Sequence, residues 1–183
     1  MKKWLWYVCF IFIFSSLNAC SNNRVGYSSG EYPYARIYDE SKYSSAMPQH
    51  TTFSTGKVIV VDPKLYAWAA YNNGDFVRGG IANAGANYCP DEGSSCRTTI
   101  GTFKIYAMGD VSCASKIYPI PTGGALMPYC MYFHNGESLH GSPDHILGEN
   151  NISHGCIHMR IPDAEWLRYN FASVGTKVVI LPY

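Results

Sequence analysis

Five cysteines follow residue 20, namely Cys89, Cys96, Cys113, Cys130 and Cys156, and their odd number constrains the fold more than any other feature. The constraint operates because the chain reads as exported. Met1, Lys2 and Lys3 precede an apolar run from Trp4 to Phe14, and Ser-Ser-Leu-Asn-Ala leads to Cys20. This is the pattern of a secretory signal peptide over residues 1–19. Its apolar core of about 11 residues is far short of the roughly 20 that a membrane-spanning helix needs. Disulfides persist outside the cytoplasm, so four of the five cysteines can pair and one is left as a free, reactive thiol. Three connectivities are open to four cysteines. Local pairing, Cys89 with Cys96 and Cys113 with Cys130, closes two turn-rich loops and leaves Cys156 unpaired.

The stretch Leu17-Asn18-Ala19-Cys20 resembles the bacterial lipoprotein signal, in which cleavage precedes an acylated cysteine. That resemblance implies a lipid anchor on Cys20, a periplasmic location and, with Ser21 following, the outer membrane. Asn18 is unusual inside that box, and ordinary cleavage after Ala19 is the competing reading. Loss of residues 1–19 removes Lys2 and Lys3, so of the 14 Lys and Arg 12 remain against 13 Asp and Glu. A net charge of about minus one carries no electrostatic footprint for nucleic acid. Residues 20–50, rich in Ser, Tyr and Asn, show no apolar periodicity and read as a flexible tether. A segment that packs its tyrosines on the domain is the alternative. Residues 51–183 then form one domain.

That domain reads mostly as strands. Lys57 to Asp62 is a β-branched run, and Leu65 to Tyr71 leads through Asn-Asn-Gly-Asp into Phe76 to Ala82, a hairpin signal. Residues 101–109 alternate Phe103, Ile105 and Ala107 against Lys104 and Tyr106. Ala125 to His134 is a further strand candidate, and Asn135-Gly136 turns it back toward His140, which is expected at a strand end. Pro162, Asp163 and Glu165 start a helix with Ala164, Leu167 and Phe171 on one face, Trp166 as core filler and Gly175 as the stop. Lys177 to Leu181 is a last strand. The expected fold is mainly β, an antiparallel sandwich or barrel-like sheet with one or two short helices.

The stretch from His140 to Arg160 places His140, His154 and His158 around Cys156. A zinc site needs three or four such ligands, but structural zinc sites usually build on closely spaced cysteine pairs, and this stretch has one cysteine. A structural cysteine among solvated histidines is a second reading. A nucleophilic thiol requires an activating imidazole, which lowers the thiol pKa, and backbone donors for an oxyanion. Gly155 permits the tight turn that brings amides close. His50, His134 and His145 receive no role.

The run from His140-Gly141 to Ser153-His154-Gly155-Cys156 resembles the signature of the L,D-transpeptidase catalytic domain. Thr98-Thr99-Ile100-Gly101-Thr102-Phe103 is similar to the family's Thr-Pro-x-Gly-x-Phe, and Met159 and the Asp163-Ala164 helix start also match. The resemblance covers residues 57–183. Thr99 stands where proline is usual, and His158 stands where Arg or Asn is common. The resemblance implies that Cys156 attacks a carbonyl, that His140 takes its proton, and that the carbonyl of Gly141 orients the imidazole. Amides around Gly155 and Cys156 would hold the oxyanion, His154 and Ser153 would shape the site, and His158 and Arg160 are candidates for contacting a substrate carboxylate. No metal or other cofactor is implied.

The implied substrate is a peptidoglycan tetrapeptide stem, acylated onto Cys156 with loss of D-alanine. The acceptor would be an amine on a second stem or on an envelope protein. Water as acceptor would make the site an L,D-carboxypeptidase. A non-catalytic envelope-binding lipoprotein is a reading of another class, against which an intact Cys156, His140 and Gly155 argue. A papain-like peptidase would place its histidine downstream of the cysteine, whereas His140 lies upstream.

Overall fold

The computed structural model describes residues 39–53 and 55–183. The signal peptide, Cys20 and residues 21–38 lie outside the described residues. Within them, no helix is long and apolar enough to cross a membrane.

Nine strands form one curled sheet in the order β4-β9-β1-β2-β3-β8-β7-β6-β5. They are β1 (Lys57–Asp62), β2 (Ala67–Asn72), β3 (Asp75–Asn83), β4 (Gly101–Lys104), β5 (Ala107–Met108), β6 (Met131–His134), β7 (Glu137–Ser142), β8 (Ile157–Arg160) and β9 (Lys177–Ile180). Two pairs, β1 with β9 and β7 with β8, are parallel, so the sheet is mixed where an antiparallel one was expected. A parallel pair needs a long crossover, and residues 143–156 supply it between β7 and β8. That crossover sets His140 opposite His158 and leaves Cys156 at the mouth of β8.

The stretch 101–109 is two strands where one was expected. The Ile105 amide donates to the Thr176 carbonyl and the Tyr106 amide to the Tyr132 carbonyl, both at 2.9 Å. The chain thus steps from β9 at one end of the sheet to β6 at the other, which curls the sheet toward a barrel. Ala125 to His134 shortens to β6, because Pro128 has no amide to give a ladder and Tyr129 adopts φ 60°. The β6–β7 hairpin turns at Asn135 and Gly136, with φ 40° and 89°, the geometry that favours Asn-Gly.

β1 is apolar at four successive positions because both of its faces are buried. Ile59 and Val61 face a core with Trp68, Met131, Leu139, Ile157 and Met159. Helix α2 (Ile161–Trp166) and the π-helical turn Leu167–Phe171 close that core with Ala164, Leu167 and Phe171. Asp163, buried at the helix start, takes an Arg78 hydrogen bond at 2.6 Å, which ties α2 to β3. Trp166 is only partly buried, stacked on Phe171 with Arg78 over its ring, so Trp68 is the indole of the core. The helical run ends at Phe171, and Gly175 (φ 94°) turns the chain into β9.

Val58 and Val60 face a second core, and its cover corrects the tether reading. Residues Glu40–Ala46 form helix α1, capped by Asp39, whose carboxylate accepts from the Ser41 amide at 3.0 Å. Tyr43 and Met47 lie four apart, on one helix side, and are buried with Tyr71, Ile81 and Leu147. The Tyr71 hydroxyl donates to the Pro48 carbonyl at 2.8 Å. Residues 39–50 therefore belong to the folded unit, which starts before residue 51.

Candidate active site

Among the described residues Cys89 is joined to Cys96 and Cys113 to Cys130, and Cys156 is the free cysteine. It sits on a tight turn. Gly155 adopts φ 112°, a conformation that L side chains rarely take. The Gly155 amide donates to Ser153 Oγ at 3.1 Å, and Ser153 Oγ donates on to the Cys156 carbonyl. Thr98, fully buried, braces the turn from the opposite strand of chain. Its hydroxyl donates to the Gly155 carbonyl at 2.8 Å and accepts from the Gly85 amide at 2.9 Å. Tyr183 completes the brace, accepting from the Thr98 amide and donating to the Gly85 carbonyl, both at 2.9 Å.

His140 lies inside β7, not at its end, and is buried. Its Nδ1 is 2.9 Å from the Gly141 carbonyl oxygen. A carbonyl can only accept, so Nδ1 carries the proton and Nε2 of the neutral ring keeps its lone pair. Burial pushes the His140 pKa down to about 4. Gly141 is required for close approach, since a Cβ there would lie 2.9 Å from the Ile161 backbone.

Ser138, two residues before His140 and completely buried, places its Oγ 3.6 Å from Cys156 Sγ. Burial pushes the Cys156 thiol up, Ser138 opposes this through its hydroxyl and its amide, and the nearby Glu137 carboxylate adds to the rise. The expected depression of the thiol pKa by an imidazole is therefore not found. The largest cause is burial of the thiol itself, and the buried His140 is likewise held toward its neutral form. Burial thus holds both the thiol and the imidazole away from their charged forms.

Residues 56–180 match the family model of the YkuD L,D-transpeptidase catalytic domain. The chain belongs to this family. Three solved structures of similar fold are L,D-transpeptidases. The one from Xylanimonas cellulosilytica DSM 15894 is 24% identical with a TM-score of 0.61, over 74% of this chain and 65% of that one. The one from Stackebrandtia nassauensis is 23% identical with a TM-score of 0.58, over 73% and 59%. The one from Mycobacterium smegmatis is 24% identical with a TM-score of 0.57, over 70% and 60%. This chain thus spans less than two thirds of the length of those structures. No curated protein matches the chain.

Two positions of this L,D-transpeptidase domain acquire partners that its sequence did not show. His154, the histidine beside the turn, has Nε2 at 2.8 Å from an Asp91 oxygen and packs against Tyr118, the rings tilted with centroids 4.4 Å apart. The Tyr118 hydroxyl donates to Glu92, which pushes its pKa up to about 12. His154 is therefore held between the two disulfide-closed loops. Arg160 pairs with Glu40 of α1, and with Asp144 at 3.9 Å. Its guanidinium thus faces α1 and Asp144.

His158 lies in register with His140, their rings edge to face at 4.9 Å. Burial, then the neighbouring His140 and His154, pushes its pKa down to about 3, and its Nδ1 is buried without a hydrogen-bond partner. The four zinc-type side chains of this region do not gather around one point. Among the described residues, the group of ligand atoms close enough for an ion is Cys89, Cys96 and His154, and both sulfurs there are in a disulfide.

Sequence reasoning assigned no role to Ser138, Thr98, Glu137, Asp91 or Tyr118. Ser138 was within reach, because residues two apart on a strand share a face. Thr98 stood in the family-like stretch 98–103 without a role, and Glu137, Asp91 and Tyr118 act across long stretches of chain with no local signal.

Proposed function

We propose that the chain is a cysteine-dependent peptidoglycan L,D-transpeptidase, with Cys156 as nucleophile and His140 as base. The observation that carries this is the tie from His140 Nδ1 to the Gly141 carbonyl, in a family member whose free cysteine is Cys156. That tie fixes the tautomer a general base needs.

In this reading the donor is a tetrapeptide stem. As Sγ attacks the carbonyl before its terminal D-alanine, the thiol proton passes to His140 Nε2 and a C–S bond forms. Transferring the proton as attack proceeds limits, without abolishing, the negative charge that builds on sulfur in a buried site. The C–N bond then breaks, and the imidazolium returns the proton to the departing D-alanine amine. An acceptor amine next attacks the thioester, gives up a proton through His140 and releases the thiol. The Gly155 amide is spent on Ser153 Oγ, so the Cys156 amide is the oxyanion donor left in the turn. Ser153 and His154 position that turn. His158, beside His140 with an unpartnered Nδ1, is the stronger candidate for a substrate contact, since Arg160 already pairs with Glu40. The chain is anchored to the periplasmic face of the outer membrane through acylated Cys20, and residues 21–38 link the anchor to the domain.

The test is product analysis by mass spectrometry after incubation of the mature chain with a disaccharide tetrapeptide, with and without a free D-amino acid. Release of D-alanine with an exchanged or cross-linked stem supports the reading. A tripeptide as sole product makes the chain an L,D-carboxypeptidase. Equal inertness of wild type and Cys156→Ala, with glycan binding retained, makes it an envelope-binding module.

A further inference from the structure

Ser138 occupies a position that packing alone does not explain. On β7 its neighbours Glu137 and Leu139 face the other way, and across the ladder it pairs with Tyr132 of β6. A serine hydroxyl with no exposure must find a partner inside the protein. The partner it meets is the Cys156 sulfur, at 3.6 Å.

We propose that Ser138 is the positioning residue of the nucleophile, its hydroxyl holding the Cys156 sulfur as negative charge develops on it. The inference rests on Cys156 being the nucleophile, as argued above. The chemistry follows from the donor inventory. A hydroxyl can either accept from S–H or donate to S⁻, so Ser138 turns its proton toward sulfur once the thiol proton has gone to His140 Nε2. Ser138 keeps its own proton throughout, and no bond to it forms or breaks. Hydrogen bonds to a charged acceptor are about twice as strong as neutral ones, so this contact strengthens as the reaction proceeds. It also opposes burial, which resists ionisation of the thiol. His140 and Ser138 thus divide the work from one face of one strand, His140 removing the proton and Ser138 receiving the charge.

The test is the pH dependence of Cys156 alkylation by iodoacetamide in the folded mature chain, for wild type, Ser138→Ala and Ser138→Thr. The reaction needs no peptide substrate. Ser138→Ala is expected to move the profile upward and to slow alkylation about tenfold at a given pH below the thiol pKa. Ser138→Thr, which keeps the hydroxyl, is expected to follow wild type. In urea all three should alkylate alike, which shows that the effect belongs to the fold. A Ser138→Ala profile that overlays wild type overturns the proposal, and so does a folded Ser138→Thr that matches Ser138→Ala. If alkylation shifts as expected but no stem peptide is turned over, the transpeptidase reading falls and the role of Ser138 toward the thiol stands. If wild type turns over stems and the profile does not move, the role of Ser138 alone falls.

Discussion

The hydroxyl of Thr98 donates to the carbonyl of Gly155 at 2.8 Å while accepting from the amide of Gly85, so one buried side chain locks the turn that carries Cys156. Thr98→Val preserves shape and removes both bonds, leaving a buried amide and a buried carbonyl without this partner. Stability should fall by about 1–3 kcal/mol, read from the urea midpoint. Acylation of Cys156 by a tetrapeptide should slow as the turn loosens. An unchanged midpoint and rate would show that Tyr183 holds the turn without Thr98.

His140 and His158 are buried as neutral rings, with pKa values near 4 and 3 against an ordinary 6.5. Below pH 6.5 the unfolded chain takes up protons that the folded chain refuses, so the unfolded state is favoured as pH falls. Stability should be full above pH 6.5 and decline as pH drops toward about 4, by roughly 3 kcal/mol for His140. His158→Gln should flatten part of that decline in urea titrations at several pH values. A stability that rises on acidification would contradict the neutral pair.

Helix α1 buries Tyr43 and Met47 against the second core, and Pro48 accepts from Tyr71. A chain beginning at residue 51 should be less stable than one beginning at residue 39 by several kcal/mol, since burying each large apolar side chain is worth about 1.5–3 kcal/mol. Arg160→Ala should reproduce a small part of that loss, because half-exposed Glu40 limits what the ion pair contributes. Equal denaturant midpoints for the two chains would make α1 a passive attachment.

Cys20→Ser should move the protein from the membrane fraction to the soluble periplasm, with acyl transfer in extracts unchanged. A variant that stays in the membrane fraction would exclude a Cys20 anchor.

Most strands were legible because alternation and the Asn-Gly turn are local signals, but β8 (Ile157–Arg160) was not read as a strand. The sheet's closure was not legible. Ile105 and Tyr106 bond to opposite ends of the sheet, and nothing in a run of alternating residues marks such a handover. Helix α1 was missed because Ser44 and Ser45 sit among its seven residues, and what stabilises it is the distant surface that receives Tyr43 and Met47. At the site, His140, Gly155 and Cys156 could be picked out because their spacing is a motif. The protonation states could not, since they depend on burial, which set both His140 and Cys156 against ionising. The pairing of Arg160 with Glu40, 120 residues away, carried no signal in the sequence around Cys156.

The proposed chemistry turns on whether Cys156 becomes acylated by a stem peptide. The most direct measurement is intact mass spectrometry of the mature chain quenched in acid during reaction with a disaccharide tetrapeptide, followed by peptide mapping. A thioester adduct equal to the donor minus D-alanine is expected, mapped to Cys156 and absent from Cys156→Ala. Accumulation should be much slower in His140→Ala. Turnover of the tetrapeptide by Cys156→Ala at the wild-type rate, or an adduct on another residue, would contradict it.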